Sequence, residues 1–297
     1  MSESAADSTP LASAAWHEAL LAAHHFRLPF GRQAWRGAQG NWLGVGLGSS
    51  IDFQDHRAYA PGDDPRYIHW AAYARTGQLT MKQFRAEVAP QVDVIVDASA
   101  SMTFDATKAA RADQLLAFCV ESAAQAGAPV RVHACDGRRV QLVPTEWARS
   151  PSRWREKFTA REAGAAAMPG ALPWRSGALK VLISDLLFPG EPASVLGPLA
   201  AGAGLALVLA PTLAAERELA SRGNVEVVDC EGAGRRRQRI DDALAARYRT
   251  AYQRHFALWG EAARQRGVLL ATVDCAGDLK TALAAAPLLA GVVEHHL

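Results

Sequence analysis

Apolar residues follow two regimes along the chain, and the change comes near residue 90. Beyond it, short apolar runs alternate with longer stretches of helical spacing. Val92-Asp93-Val94-Ile95-Val96 is a β-branched run that ends on Asp97 and reads as a buried parallel strand. From Asp105 to Ala126 the spacing is helical, with Ala109, Leu115, Leu116, Cys119 and Val120 able to share a face. Pro129 to Cys135 and Arg139 to Val143 flank Asp136-Gly137, a hairpin signal. A short helix is expected over Ser152 to Thr159. Leu179 to Asp185 reads as an apolar strand ending in polar residues, and a helix near Ala193 to Ala201 leads into a strand at Leu205 to Leu209. Asn224 to Val228 suits a minor strand, Asp241 to Arg266 an amphipathic helix, and Val268 to Val273 a last strand.

Before residue 90 the chain is rich in aromatics, glycine and polar residues, with one helical stretch from about Leu11 to His25. Gly40 to Gly48 has too many glycines for a helix interior and reads as turn-rich or extended. The division expected is a helix and polar segment over 1–90, packed on an α/β domain over 91–297. Strand–helix alternation predicts a mainly parallel sheet with helices on both faces. Ligands in such folds gather beyond the carboxyl ends of the strands, which directs attention to Asp97 and Asp185.

Composition narrows the picture little. At 297 residues, 49% hydrophobic and with a formal net charge of +2, the chain can build a core and has no general pull toward nucleic acid or anionic membrane. Its one basic run, Arg235-Arg236-Arg237-Gln238-Arg239, reads as a solvated loop face. The four cysteines, Cys119, Cys135, Cys230 and Cys275, lack metal-ligand spacing, and Cys119 and Cys135 suit buried thiols. The start of the chain does not read as a signal peptide. The longest apolar segment, Val195 to Pro211, is broken by Gly and Pro and is shorter than the about 20 residues a spanning helix wants. A cytoplasmic protein without a membrane span is therefore expected. His295-His296, at the end of the chain, is expected to be disordered.

The sharpest chemistry lies in Asp97-Ala98-Ser99-Ala100-Ser101-Met102, directly after the first core strand. One carboxylate and two hydroxyls at alternate positions of a strand-to-helix loop can turn toward one point and offer hard oxygen ligands to Mg²⁺, Mn²⁺ or Ca²⁺. The bland alternative is a loop whose Asp and Ser cap the following helix. The run resembles the metal-ion-dependent adhesion site of von Willebrand factor A domains. That resemblance implies a von Willebrand factor A-like, Rossmann-like α/β fold, with Ser99 and Ser101 as direct cation ligands and Asp97 acting directly or through water. Asp185, in Ile183-Ser184-Asp185-Leu186, matches the later Asp of the motif. The family's Thr has only Thr145 and Thr159 as candidates, neither in a matching context.

A second block lies upstream: Arg57-Ala58-Tyr59, then Pro61-Gly62-Asp63-Asp64-Pro65-Arg66-Tyr67-Ile68-His69-Trp70, then Ala74-Arg75-Thr76, ending at Glu87. Together with the adhesion-type motif it resembles the bacterial domain-of-unknown-function family fifty-eight, over about residues 30 to 210. Asp52 stands where that family usually has Glu, and His69 where it usually has Asp. The Pro61–Asp64 stretch reads as a turn. Arg57, Arg66 and Arg75 are placed to pair with Asp63, Asp64 and Glu87, and Trp70 and Tyr59 to bury area. The block is either a structural clasp or a partner-binding surface. The resemblance implies a cytoplasmic adaptor, not an enzyme, that binds protein partners at a divalent-cation site, with a MoxR-type AAA+ ATPase as the partner. A metal-dependent hydrolase using the same site and a metal-free structural adaptor are the alternatives. Asp63-Asp64 with His56 and His69 could be drawn as an acid/base pair, but adjacent carboxylates in a Gly turn usually cap it.

Overall fold

The computed structural model describes residues 9–32, 39–47, 53–88, 90–136, 139–149, 155, 172–219, 221–232 and 234–296. In chain order, helix α1 (Thr9–Ala23) and β1 (Phe26–Arg27) lead into β2 (Gln39–Leu47) and β3 (Phe53–Ala58). Next come α2 (Trp70–Thr76), β4 (Thr80–Val88), β5 (Val92–Asp97), α3 (Ala106–Gln125), β6 (Val130–Cys135) and β7 (Val140–Val143). After them follow β8 (Leu179–Ile183), α4 (Pro192–Ala200), β9 (Leu205–Thr212), α5 (Ala214–Arg217), β10 (Gly223–Val228) and β11 (Arg235–Ile240). The chain closes with α6 (Asp242–Gln265), β12 (Leu269–Asp274), α7 (Leu279–Ala284), α8 (Ala286–Leu289) and β13 (Glu294–His295).

Six strands form the central sheet in the order β12-β9-β8-β5-β6-β7. All its pairings are parallel except β6 with the edge strand β7, which close the hairpin around Asp136. Alternate side chains of a strand point to opposite faces, and the core divides accordingly. Val92, Val94 and Val96 pack with α1, α3 and α7 on one face. Ile95, with Leu182 and Val208, packs with α4 and α6 on the other. The chain is thus an α/β protein with helices on both faces of a mainly parallel sheet. Helix α1 belongs to this core, since Ala19, Ala22 and Ala23 are buried with Leu115 and Phe118 of α3. Gly40 to Gly48 proves extended as far as it is described, within an irregular three-stranded antiparallel sheet of order β2-β4-β3. The expected helix at 152–159 lies outside the described residues apart from Arg155. No described helix is long and apolar enough to cross a membrane.

Two expectations change. His295 is not frayed: β13 pairs with β1, Val292 and Val293 are buried, and Glu294 accepts hydrogen bonds from Arg27 Nε at 2.8 Å and from the Gly31 amide at 3.2 Å. The apolar pair and this half-buried ion pair tie residues 292–295 to the segment around β1, more than 260 positions away in sequence, which sequence position could not reveal. The basic run is solvated but is no loop. It is β11, paired antiparallel with β10 in a two-stranded ribbon.

Replacing Glu294 by Ala removes one charge-assisted bond and one amide acceptor. The expected cost is about 1–2 kcal/mol, read as a fall in Tm of roughly 2–6 °C by calorimetry. An unchanged Tm would show that the Glu294 side-chain contacts contribute nothing to stability.

Candidate functional site

The carboxyl ends of β5 and β8 lie side by side, because Val96 is in register with Ile183. Each strand runs directly into a polar turn, so the topology places Asp97 beside Ser184 and Asp185. Asp97 is almost fully buried. Its Oδ1 accepts from the Ser99 amide at 2.9 Å, and its Oδ2 from the Ser184 hydroxyl at 2.7 Å. The first bond folds the chain back, and a 3-10 turn at Ala100–Met102 follows. This brings the Ser99 and Ser101 hydroxyls to 3.0 Å from each other. The four residues singled out in the sequence, Asp97, Ser99, Ser101 and Asp185, therefore share one edge of the sheet. Thr145 does not join them. Val143 is in register with Val132 near the start of β6, whereas Asp97 is in register with Cys135 at its end. Thr145 thus follows β7 at the opposite edge of the sheet. Thr159 lies outside the described residues.

The turn after β8 is strained. Leu186 is buried at φ 60°, the left-handed region, and is the one non-glycine residue there among those described. Such a conformation costs about 1–2 kcal/mol and persists only where the surroundings fix it. Here they do so in three ways. The Leu186 amide donates to Ser184 Oγ at 3.2 Å, the Leu187 amide to Asp185 Oδ1 at 2.9 Å, and His255 Nε2 lies 2.8 Å from the Leu186 carbonyl.

Three participants were not named from the sequence. Lys108, in the first turn of α3, is fully buried, and its ammonium bonds Asp185 Oδ2 and Glu216 Oε1 at 2.5 Å each. Asp105 caps that helix by accepting from the Thr107 and Lys108 amides, which fixes where the lysine starts. The Phe104 ring lies 5.4 Å from the ammonium. Glu216 is in turn held by the Leu213 amide on its Oε2. The third participant is Glu231, in the turn between β10 and β11, whose Oε1 accepts from the Ser101 amide at 2.5 Å. Lys108 left one legible signal, a cation four positions before Ala112 and seven before Leu115 on the apolar stripe of α3. Glu216 and Glu231 left none.

Charge in this cluster is unbalanced. Four carboxylates, those of Asp97, Asp185, Glu216 and Glu231, belong to it, against the single ammonium of Lys108, which contacts only Asp185 and Glu216 among them. Burial works against the ammonium, but Asp185 and Glu216 outweigh it and hold the amine above its ordinary value. No lysine or arginine among the described residues pairs with Asp97. Burial first, and then the Asp185 charge, raise its carboxyl to about 6. Among the described residues no three His, Cys, Asp or Glu side chains converge as a metal-binding group, so a cation here would depend on the hydroxyls as well.

The upstream block forms a self-capped turn. Gly62 sits at φ 103°, a conformation that favours glycine. Arg57 holds Asp63 with two bonds, at 2.7 and 2.5 Å, while Asp63 also accepts from the Ala60 amide. Asp64 accepts from the Arg66 amide and side chain. Hydrogen bonding to Arg57 and Arg66 holds the Asp63 and Asp64 carboxyls below their ordinary range, which suits caps and not a proton donor. Arg75 bonds the Ala71 carbonyl of its own helix. Tyr59 is half-buried. Trp70 was expected to bury area but is 60% exposed, edge-on to Tyr73 at the surface; it opens the seven-residue α2, none of whose residues is buried.

A family model described as "Protein of unknown function DUF58" matches residues 55–258, which takes in this block and the cluster at the sheet edge. The uncharacterized proteins Rv1480 of Mycobacterium tuberculosis (strain H37Rv) and Mb1516 of Mycobacterium bovis are each 29% identical over 233 residues, covering 73% of this chain and 73% of theirs. No solved structure matches the chain.

Two substitutions test the charge balance. Asp97→Asn removes a carboxylate whose folded-state pKa is raised, so the ionised form burdens the folded state above about pH 6 and the burden fades as pH falls toward the unfolded value. Without divalent cation, the variant should gain about 1–2 kcal/mol at pH 7.5 and little at pH 4.5 by urea denaturation; a loss at pH 7.5 would contradict an uncompensated carboxylate. Lys108→Met strands two carboxylates and should lose about 3–5 kcal/mol in the same assay.

Proposed function

We propose that this chain, which belongs to the family described as "Protein of unknown function DUF58", is a protein-binding adaptor that holds a divalent cation at Asp97, Ser99 and Ser101 and meets its partner there. On this reading the α/β sheet is a von Willebrand factor A-like variant, and Mg²⁺ is the first choice of ion. The observation that carries it is a buried carboxylate without a cationic partner, set beside two hydroxyls that face each other. Their 3.0 Å separation is also about the edge of an octahedron with metal–oxygen distances near 2.1 Å. A hydrogen bond has the same length, so the surplus negative charge is what favours a cation. Asp97 and the two hydroxyls would hold the ion. Asp185, whose oxygens are engaged by Lys108 and the Leu187 amide, would act from behind through water. When bound, the ion supplies an electrophilic point for a partner's carboxylate.

The chain's own residues do the positioning. Ser184 orients Asp97, Lys108 fixes Asp185, and the strained Leu186 turn aims both. Ser101 is only partly buried, which suits contact with a surface. A general base for hydrolysis finds less support. Lys108 is held protonated by two carboxylates, and a cavity of about 410 Å³ near the ends of β9 and β12 is lined by Thr212, Arg217, Tyr252 and Thr272 and not by Asp97. A MoxR-type AAA+ ATPase as the partner rests on the family resemblance alone. One observation favours a metal-free adaptor: Lys108 already brings a positive charge into the cluster.

Isothermal titration of Mg²⁺ and Mn²⁺ into the full chain decides between them. On the cation reading the protein binds, and Ser99→Ala or Ser101→Ala each weaken binding by about tenfold or more, the loss of one ligand. Absence of heat in the parent protein would favour Lys108 as the resident cation. Binding that survives both substitutions would place the ion elsewhere.

A further inference from the structure

The β10–β11 ribbon has two unlike faces. Register pairs Asn224 with Arg239, Glu226 with Arg237 and Val228 with Arg235, so these six residues share one face. The other face carries Ile240, which is buried at the base. Arg235, Arg237 and Arg239 are therefore an exposed basic stripe at alternate positions, about 7 Å apart. The carboxylate of Glu226 lies 3.7 Å from Arg235. At the far end the chain turns tightly, with the Asp229 amide donating to the Gly234 carbonyl and the Glu231 amide to Asp229 Oδ1. That turn carries Glu231 onto the Ser101 amide, 130 positions away in sequence. A flexible glutamate exposed to water gains little by entering a cluster already rich in carboxylates. The ribbon brings it there.

We propose that the ribbon is a built-in competitor for the site. Glu231 holds the amide beside the paired hydroxyls, and the partner is an acidic protein segment that lands on Arg235, Arg237 and Arg239 and replaces Glu231 with a carboxylate of its own. This rests on the reading of Asp97 to Ser101 as the partner-binding point. An extended acidic segment presents side chains on one face with the same two-residue period as the arginine stripe. Its attraction to the arginines offsets the loss of the Glu231 contact, so a ligand without that charge does not open the site. Nucleic acid fits less well. Glu226, Asp229, Asp241 and Asp242 lie along or beside the ribbon, where they repel a continuous phosphate backbone but leave room for single side chains.

Fluorescence anisotropy with a labelled oligo-glutamate peptide and Mg²⁺, on the full chain, tests this. Glu231→Ala should tighten peptide binding about tenfold, the worth of a charge-assisted bond, and should speed hydrogen exchange at the Ser101 amide. Replacing Arg235, Arg237 and Arg239 together by Ala should weaken binding by at least as much. Unchanged affinity in Glu231→Ala overturns the competitor, as does a peptide that binds neither protein. If Glu231→Ala and the triple variant behave as expected but Ser99→Ala has no effect in either background, the ribbon stands and the cation-site reading falls. A thymidine oligonucleotide that binds the arginines more tightly than the peptide, with equal affinity for Glu231→Ala, assigns the ribbon to nucleic acid and overturns the proposal.

Discussion

A buried ammonium cannot stand alone. Lys108 enters the carboxyl edge of the sheet fully withdrawn from water, and in a low-dielectric setting such a charge is tolerated only with carboxylates in direct contact. Asp185, in the turn after β8, and Glu216, in the helix after β9, meet that demand. The contact joins α3 to two neighbouring strand ends and fixes the path of both turns. Asp105 sets where α3 begins, and so how far the lysine reaches. The left-handed Leu186 and the Ser184 hydroxyl over Asp97 belong to the same arrangement.

The triad also determines what remains. Lys108 and the Leu187 amide engage both oxygens of Asp185, so Asp97, one strand away, receives hydrogen bonds but no positive charge. A protein shaped for stability alone would neutralise or replace that carboxylate. Here it stays, its pKa raised to about 6, facing two hydroxyls at a place the solvent partly reaches. Residual negative charge beside two hydroxyls is what the proposed cation-dependent contact point would require, and a carboxylate kept at a cost to folding stability is the observation on which that proposal rests. The ribbon adds a second layer, because it brings the Glu231 carboxylate onto the Ser101 amide of the same loop.

The upstream block follows a simpler logic. Arg57 with Asp63 and Arg66 with Asp64 satisfy one another within a few residues, and the block is joined to β4 where the buried Ile68 bridges the buried Met81. That leaves Trp70 and Tyr73 exposed above it. Helix α1 and the Val292–Val293 pair before β13 do the opposite: they are buried in one core with Leu115 and Phe118 of α3, and β13 pairs with β1.

Local pattern was enough for the alternation of strand and helix. Runs such as Val92–Val96 and Leu179–Ile183 are apolar at every position but one, Asp93 and Lys180 being the exceptions, because both faces of a parallel strand are covered, and such runs are legible without knowing the neighbours. The aspartates that end them could be read as candidates for the same reason, and Asp97, Ser99 and Ser101 lie too close in sequence to be far apart in space. Only tertiary structure could decide the rest. Lys108 meets Asp185 across 77 positions, Glu216 across 108, and Ser101 meets Glu231 across 130. Such pairings depend on which strand ends become neighbours, and β5 lies between β8 and β6 by a crossover order that no local spacing encodes. The exposure of Trp70 and the order at His295 were misread for a related reason: whether a surface is covered depends on what the remainder of the chain brings to it.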